Sequence, residues 1–544
     1  MAPDFASHAP AMLAAVGLYI ALMLGIGFWA KRISHRQEQR PGSGPNSFIE
    51  EYFLAGRSLG GVTLAMAIVT TYTSASSFIG GPGMAYSLGL GWVLLAMIQV
   101  PTTFLTLGLI GRRLSAYSRK TGSVSISDFL LQRYGSKTLV TVTSICMILF
   151  FMAIMLAQFI GGARVFEAAT GFPYDRALML FCVTVALYTA IGGFRAVIMT
   201  DLVQGCIMVV AAVCILGGVI AAGGGIAPIM AKLAQIDPGL IQPGGAGGKI
   251  TMPFLFSFWV LVGIGVLGLP QDVQKCMAYK DDAAMRRGMV VGTIVIGFIL
   301  LCTHLSGALG RAVIPDLPAG DLVMPTLTVR LLPPFLAGLF LAGVLAAVMS
   351  TVSSMVIISS ATILRDLSVC WGFKRYDAAM NPQSTRRISL GLTLVVGLVV
   401  FFVALHPPDL LVWINLFAFG GLEAVFFWPV MLGLYWKKAN ASGALCSITT
   451  GLACFISLTP IPETILSRLP LWLGQCLQAL PNPFAWIPLG GAHPIIPSLV
   501  LAGIAFWAGN GIAFRMKRVG EAQPVAPALP GRQAKNPDQG PRPE

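Results

Sequence analysis

The sequence predicts an all-α protein that crosses a membrane many times. Of its 544 residues 56% are hydrophobic and only 11% are charged, and the mean hydropathy is +0.79, which is outside the range of soluble globular chains. Apolar runs of about 20 residues, the length that crosses the hydrocarbon core of a bilayer, recur along the chain. Lys and Arg collect in alternate loops between these runs. A polytopic membrane protein is therefore expected.

The apolar runs predict thirteen transmembrane helices, near residues 11–30, 60–80, 91–111, 138–160, 174–193, 199–222, 252–275, 288–311, 334–363, 388–406, 410–435, 441–459 and 496–515. With the N-terminus outside, most of the 36 Lys and Arg fall in cytoplasmic loops, as the positive-inside rule requires. This orientation places the C-terminus inside. It also explains the net charge of +14 as a topology signal and not as a surface that binds nucleic acid.

Two broken-looking spans suggest an internal repeat, one beginning at Leu59 and the other at Pro253. Many transporters consist of inverted five-helix repeats whose first helices are interrupted at mid-membrane. The predicted division is an external N-terminus, first helix and cytoplasmic loop (1–59), a first repeat (60–222), an external loop (223–251), a second repeat (252–435), two further helices (436–518) with an external insertion (460–492), and a disordered cytoplasmic tail (519–544). Within the insertion, 463–480 could form an amphipathic helix on the membrane surface.

The polar stretch at residues 70–83 stands out within the second span. It crowds Thr and Ser hydroxyls before a Gly-Gly-Pro-Gly exit. Lipid-facing backbone must satisfy its own hydrogen bonds, so such a stretch is tolerated only where it faces protein or a water-filled cavity. We therefore expect a discontinuous helix that lines a binding site.

The expected partner of this stretch is the segment 346–351 in the ninth span. Ala347, Ser350 and Thr351 stand at i, i+3 and i+4 and share one helix face. Carbonyl oxygens of Thr70, Thr73 and Ala347 with the hydroxyls of Ser350 and Thr351 would form a sodium site without a buried carboxylate. The alternative is that these hydroxyls bond back to their own helix or help helices to pack.

Other polar residues inside spans are weaker candidates. Pro270 suits the first position of a new half-helix. The positive end of that half-helix at Gly268–Pro270 would favour an anionic group. An ordinary proline kink is the alternative. Lys275 is expected to be an interfacial anchor. Glu423 is a buried carboxylate and a functional candidate for that reason. Helix-packing hydrogen bonds are the plain explanation for Gln99, Gln158, Gln204, His304, Trp413 and Asn415.

Signatures of an enzyme are absent from the sequence. There is no Gly-rich phosphate loop and no HExxH motif. The ten Cys have no CxxC spacing and mostly lie in apolar spans, which is typical of buried small side chains and not of a metal site. We expect a protein that is not an enzyme.

Several motifs resemble the sodium/solute symporter family. They are the run Tyr72 to Gly83 with its continuation Gly89 to Gln99, and the stretches Glu51 to Ser58, Gln158 to Arg164, Gly307 to Leu317 and Gly433 to Trp436. The similarity extends from about residue 49 to 457 and resumes near 493–497. Lys275 departs from the pattern, because relatives usually carry Arg there and any role that needs a bidentate guanidinium would be lost.

The resemblance implies a LeuT-like 5+5 inverted repeat with a coupling sodium ion between spans 2 and 9. The family's sodium positions fall on Thr70, Thr73, Ala347, Ser350 and Thr351, and its aspartate linked to sodium passage falls on Asp201. A first-turn or N-cap acid is the plain explanation for Asp201. The substrate would lie between spans 2, 3, 7 and 11, with candidate contacts at Tyr72, Ser74, Ser76, Ser77, Gln99, Gln158, Gly268 and Asn415.

The function that the resemblance implies is secondary active transport in the plasma membrane, the inner membrane of a bacterium, that couples sodium entry to uptake of pantothenate. The alternative is a sodium symporter for another small carboxylate or for proline. A passive channel or a membrane sensor is a remote alternative from a different class. No nucleic-acid partner and no obligatory protein partner are expected.

Overall fold

The computed structural model describes residues 5–38, 54–367, 382–406, 411–459 and 489–519, together with Glu50, Phe484 and Ile487. Within these ranges the regular structure is helical, apart from one isolated parallel bridge between Leu59 and Tyr279. The predicted surface helix at 463–480 lies outside the described residues, and so does the predicted tail at 519–544 apart from Val519.

Nineteen α-helices make up the described chain. In order they are α1 Phe5–Glu38, α2 Gly61–Tyr72, α3 Gly81–Leu88, α4 Leu90–Ala96, α5 Thr102–Leu105, α6 Arg112–Thr121, α7 Ile126–Tyr134, α8 Lys137–Thr170, α9 Tyr174–Ala222, α10 Ile226–Ile236, α11 Met252–Trp259, α12 Pro270–Lys275, α13 Asp282–Val313, α14 Val323–Leu331, α15 Pro334–Ala361, α16 Pro382–Ala404, α17 Leu411–Tyr435, α18 Ala441–Leu458 and α19 Ile495–Val519. Short π and 3₁₀ segments join several of them.

The described part of the chain holds 9 helices that are long and apolar enough to cross a membrane, or 10 when one bent pair is counted as a span. The prediction of an all-helical, multi-pass membrane protein is therefore confirmed. Some predicted spans are represented by shorter apolar helices, such as Met252–Gly268 and Leu394–Ala404. The count of thirteen stays a prediction.

The region predicted as the fifth and sixth spans differs from expectation. The backbone is helical from Tyr174 to Ala222 without the expected interruption near residues 194–198. Residues 194–198 contain no proline, so each of them keeps the N–H that an unbroken helical ladder needs.

The second span is broken, as predicted. Gly61–Tyr72 and Ser76–Leu88 are bent by 70° relative to each other, because Thr73 is extended (φ −75°, ψ 119°). The N–H of Ala75, freed by the break, donates to Oε1 of Gln158 at 2.9 Å. A neighbouring helix thus satisfies a backbone group that the break left unpaired.

The predicted break before Pro270 has the same form. A π segment (Val260–Ile264) and a 3₁₀ segment (Gly265–Gly268) lead to Leu269, which is extended (φ −71°, ψ 116°), and α12 begins at Pro270. One end of each broken span lies beside the other, since the Leu59 N–H donates to the Ala278 carbonyl at 3.2 Å.

Glycines allow the broken span to approach its neighbours closely. A Cβ added at Gly307 of α13 would lie 2.1 Å from the Pro82 carbonyl oxygen, and one added at Gly81 would lie 2.3 Å from Nε2 of His304. Backbone can pack this closely only where both helices present small residues. Of the candidate spans, α15 is the most buried, with 83% of its most apolar window inside the protein.

Gly307→Ala is expected to destabilise the protein, because the new methyl group would collide with the Pro82 backbone, which cannot rotate away. Overpacking of this kind costs about 1–3 kcal/mol. Gly217→Ala is the matched control, since nothing lies within 4 Å of the added Cβ. Thermal unfolding of both variants in detergent would measure the difference, and equal melting temperatures would contradict the close packing.

Candidate functional site

An oxygen cluster forms where the break after α2 meets α15. The Ser350 hydroxyl donates to the Thr70 carbonyl at 2.8 Å and lies 3.0 Å from the Ala347 carbonyl. The Thr351 hydroxyl lies 2.9 Å from the Ala347 carbonyl and 3.4 Å from the Thr73 carbonyl. The structure therefore brings together the five residues that the sequence selected as sodium ligands, and all five are buried.

Two further oxygens come from residues of the same break. The Thr351 hydroxyl also lies 3.2 Å from the Thr71 carbonyl, and the Thr73 hydroxyl is buried without a hydrogen-bond partner among the described residues. Spacing alone did not indicate either group, because it does not show which carbonyls turn inward at a break. Neutral carbonyl and hydroxyl oxygens of this kind coordinate sodium in transporters with unwound helices.

Asp201 and Lys275 form a buried pair beside the cluster. Nζ of Lys275 lies 3.5 Å from Oδ2 of Asp201, and the two side chains are 1% and 0% exposed. The expectation that Lys275 is an interfacial anchor is wrong, because α12 is short and ends inside the protein. Its ammonium group donates to the Ala67 carbonyl at 2.5 Å and to the Thr71 hydroxyl.

A cavity of about 480 Å³, counting space open to solvent, lies beside the same break. Six of the predicted substrate residues line it, along with residues from α3, α4, α11, α13 and α17. The full lining is Tyr72, Ser74, Ser76, Ser77, Gly81, Trp92, Ala96, Gln99, Phe258, Val262, His304, Val412, Asn415, Leu416 and Phe419.

Gln158 and Gly268 were also predicted to contact substrate, but neither lines the cavity. Gln158 is fully buried and accepts from the Ala75 N–H, so it supports the break. A Cβ at Gly268 would lie 2.8 Å from the Phe427 backbone, which shows that α17 covers this residue. The half-helix α12 therefore does not present Gly268 to the cavity.

Some polar groups in the cavity are already paired. The Tyr72 hydroxyl lies 3.0 Å from both Oε1 of Gln99 and the Val262 carbonyl. Nδ1 of His304 lies 2.8 Å from the Leu300 carbonyl. Because that carbonyl is an acceptor, Nδ1 must carry the proton. The other ring nitrogen, Nε2, lies beside Gly81 in the cavity wall.

Three polar atoms of the cavity wall have no partner among the described residues: Nε1 of Trp92, Oγ of Ser76 and Oδ1 of Asn415. Trp92 is only 2% exposed, and a buried N–H without an acceptor is costly. A polar ligand would supply the missing partners. Sequence reasoning missed Trp92, although it lies within one of the motifs quoted above.

The sodium:solute symporter family model matches residues 52–451. The chain belongs to this family. The sodium/pantothenate symporter of Haemophilus influenzae is 46% identical over 86% of this chain and 91% of its own length. The sodium/pantothenate symporter of Escherichia coli is 44% identical over 94% of this chain and 97% of its own length. The osmoregulated proline transporter OpuE of Bacillus subtilis is 27% identical over 91% of this chain and 93% of its own length.

The structure of a Na+-coupled sialic acid symporter in a substrate-bound, outward-open state has the same fold. Its TM-score is 0.72 at 18% identity, and the match covers 93% of this symporter and 97% of that chain. This symporter is therefore a multi-pass plasma-membrane transporter and not an enzyme, and its coupling ion is sodium.

Ser350→Ala combined with Thr351→Ala is expected to abolish activation of transport by sodium, because both hydroxyl ligands of the cluster are removed. The matched control is Ser306→Ala with Thr328→Ala, whose hydroxyls donate only to their own helices at 2.7 Å. Initial uptake rates over a range of sodium concentrations would measure the effect. Unaltered sodium activation in a correctly inserted Ser350/Thr351 double variant would remove the proposed site.

Proposed function

We propose that the protein couples the entry of sodium to the uptake of pantothenate by alternating access. The observation that carries the proposal is the shared break after α2, which presents carbonyls of Thr70 and Thr73 to α15 and side chains of Tyr72 and Ser74 to the cavity. Relatives named as sodium/pantothenate symporters, at 44–46% identity over most of the chain, support the choice of solute.

The finer architecture belongs to the same proposal. Thirteen spans, an external N-terminus, a cytoplasmic C-terminus and an inverted repeat at 60–222 and 252–435 would place the two breaks at equivalent positions. Supporting this, each break is made by one extended residue, Thr73 or Leu269, with nearly equal ψ angles of 119° and 116°. All proposed ligands come from one chain, so we expect no obligatory protein partner.

Coupling follows from the shared backbone at the break. Sodium would draw the Thr70 and Thr73 carbonyls toward α15, and this would fix the turn from which Ser74, Ser76 and Ser77 reach the cavity. A ligand shifts a conformational equilibrium only by its difference in affinity for the two states. Here the residues of the break would contact both the ion and the solute, so the same residues would set the difference in affinity between the two states for each ligand.

We place the pantothenate carboxylate at the unpartnered donors of the cavity. Nε1 of Trp92 and the hydroxyl of Ser76 are the buried donors without acceptors in the described cavity wall. This replaces the expected position at Gly268–Pro270, where α17 covers the backbone. Asn415 and Nε2 of His304 remain to accept from the amide N–H and hydroxyl groups of the solute.

The decisive experiment is uptake of labelled pantothenate into proteoliposomes, with an inward sodium gradient compared against an equal potassium gradient. We expect accumulation above the external concentration with sodium only. Equal uptake in both gradients, or uptake that stops at equilibration, would indicate a channel. Absent pantothenate uptake with sodium-driven uptake of proline or another small carboxylate would establish the alternative solute.

Trp92→Phe is expected to raise the KM for pantothenate about tenfold or more, because a hydrogen bond to a charged group contributes about 1.5–3 kcal/mol. Pantothenol, which lacks the carboxylate, should compete with similar strength in the variant and the original protein. Trp413→Phe is the matched control, since Trp413 is 37% exposed and does not line the cavity. A Trp92→Phe variant that weakens both compounds equally would exclude a contact specific to the carboxylate.

A further inference from the structure

Glu423 is a buried carboxyl group that neither the oxygen cluster nor the cavity uses. It lies on α17 and is 0% exposed, and neither of its oxygens has a hydrogen-bond partner among the described residues. None of the described ion pairs includes it. An ionised carboxylate without a partner is strongly unfavourable away from water, and such a group is neutralised instead. The carboxyl group of Glu423 must therefore hold a cation in this conformation.

The surroundings of Glu423 select a proton as that cation. The helical turn before it packs against aromatic rings, because a Cβ added at Gly420 would lie 2.5 Å from the Phe455 ring and one added at Gly421 would lie 2.2 Å from the Phe150 ring. A sodium ion prefers a shell of oxygen ligands, which these rings do not provide. A proton needs only one carboxyl oxygen.

Glu423 lies one helical turn beyond the cavity, on the same face of α17. Val412, Leu416 and Phe419 line the cavity, and Glu423 continues their spacing four residues after Phe419. From there α17 runs toward the basic pair at 437–438, which the sequence predicts to be cytoplasmic. The carboxyl group would therefore lie on the inner side of the cavity.

The second broken span covers the carboxyl group. Val262 lines the cavity, and three residues later a Cβ added at Gly265 would lie 2.1 Å from Oε2 of Glu423. The Gly265 N–H donates to the Val260 carbonyl, so it is not a donor to the carboxyl group. Movement of the Gly265–Gly268 segment away from α17 would let water reach Glu423.

We propose that Glu423 is a proton-binding site that controls closure of the inner side of the transporter. The carboxyl group keeps its proton while the Gly265–Gly268 segment packs against it, and gives the proton to cytoplasmic water when that segment moves away. Closure then requires the proton to return. Because the closed state binds the proton more tightly than the open state, proton binding favours closure. The proposal rests on the proposed function, since alternating access supplies the inward-open state.

Other titratable groups lie on α17 and on the elements near it. They are Tyr435 on α17, Tyr72 on α2, Asp272 and Lys275 on α12, Lys137, Cys146, Arg164 and Glu167 on α8, Asp128, Arg133 and Tyr134 on α7, Cys446 and Cys454 on α18, and Arg515, Lys517 and Arg518 on α19. No described member of this set is a hydrogen-bond partner of Glu423. Asp272 is 3% exposed and its Oδ1 is also unpartnered among the described residues, so it serves as a matched buried acid.

The first test detects the bound proton directly. A protonated carboxyl group has an infrared C=O stretching band that is separate from the bands of ionised carboxylates and of backbone amides. In the purified original protein at neutral pH we expect such a band, which Glu423→Gln should remove and Asp272→Asn should keep. Glu423→Asp should keep the band at a shifted frequency.

The second test shows which side of the membrane supplies the proton. Sodium-driven uptake of labelled pantothenate is measured in right-side-out membrane vesicles, while either the internal or the external pH is raised and the other is held constant. A higher internal pH should slow uptake by up to about tenfold per pH unit, the limit for one proton, because the inner side fails to close again. A higher external pH should have a much smaller effect.

The same variants connect this response to Glu423. Glu423→Gln cannot ionise and should lose the response to internal pH, whatever its own rate of uptake. Glu423→Asp retains a titratable carboxyl group and should keep the response. Asp272→Asn should keep it as well, because the proposed proton is bound elsewhere.

Two results in the original protein would overturn the proposal even if no variant folds. They are the absence of a protonated-carboxyl band and uptake that does not respond to internal pH. A folded Glu423→Gln protein that keeps either the band or the response would overturn it as well. Absence of sodium-dependent pantothenate uptake would instead refute the proposed function. The infrared band would still test the bound proton, and the pH measurement would then be made with the solute that is transported.

Discussion

The structure depends on one constraint, which is that backbone polar groups inside a bilayer must find partners within the protein. The break after α2 frees several of them at once. The donor side is covered, because the Thr73 N–H keeps its bond to Val69 and the Ala75 N–H donates to Gln158. The acceptor side is not fully covered, since among the described residues the Thr70 and Thr73 carbonyls accept from the side-chain hydroxyls of Ser350 and Thr351. Carbonyls left in this way are available to a cation.

Close helix packing fixes the shape of that site. A Cβ at Gly161 of α8 would lie 2.6 Å from the Ala75 Cβ, and one at Gly205 of α9 would lie 3.2 Å from the Thr70 Cγ2. Between apolar helices in lipid the hydrophobic effect gives little attraction, so contacts through small residues and buried hydrogen bonds must hold the helices together. The glycines beside the break thus stabilise the same geometry that presents the carbonyls.

The sequence was informative wherever the cause of a feature is local. Hydropathy located the long helices, and clustered hydroxyls or Pro270 located the two breaks, because each signal acts within a few residues. Contacts between distant segments were not accessible in this way. Lys275 was expected at the interface, yet it reaches Asp201 across α2, and Gly268 was expected in the cavity, yet α17 covers it. Helix spacing shows which residues share a face, but it does not show which neighbour that face meets.

The charge distribution explains why an ion and an anion would be carried together. The described cavity wall contains no charged residue, and the nearby Lys275 ammonium already has Asp201 as its counter-ion. A carboxylate entering the cavity would therefore gain little from the protein's own charges until sodium occupied the proposed site at the oxygen cluster. The reverse also holds, because coupling between two binding sites is reciprocal: whatever factor sodium adds to the affinity for the solute, the solute adds to the affinity for sodium. A neutral cavity beside a neutral ion site is thus the arrangement in which neither ligand is held strongly alone.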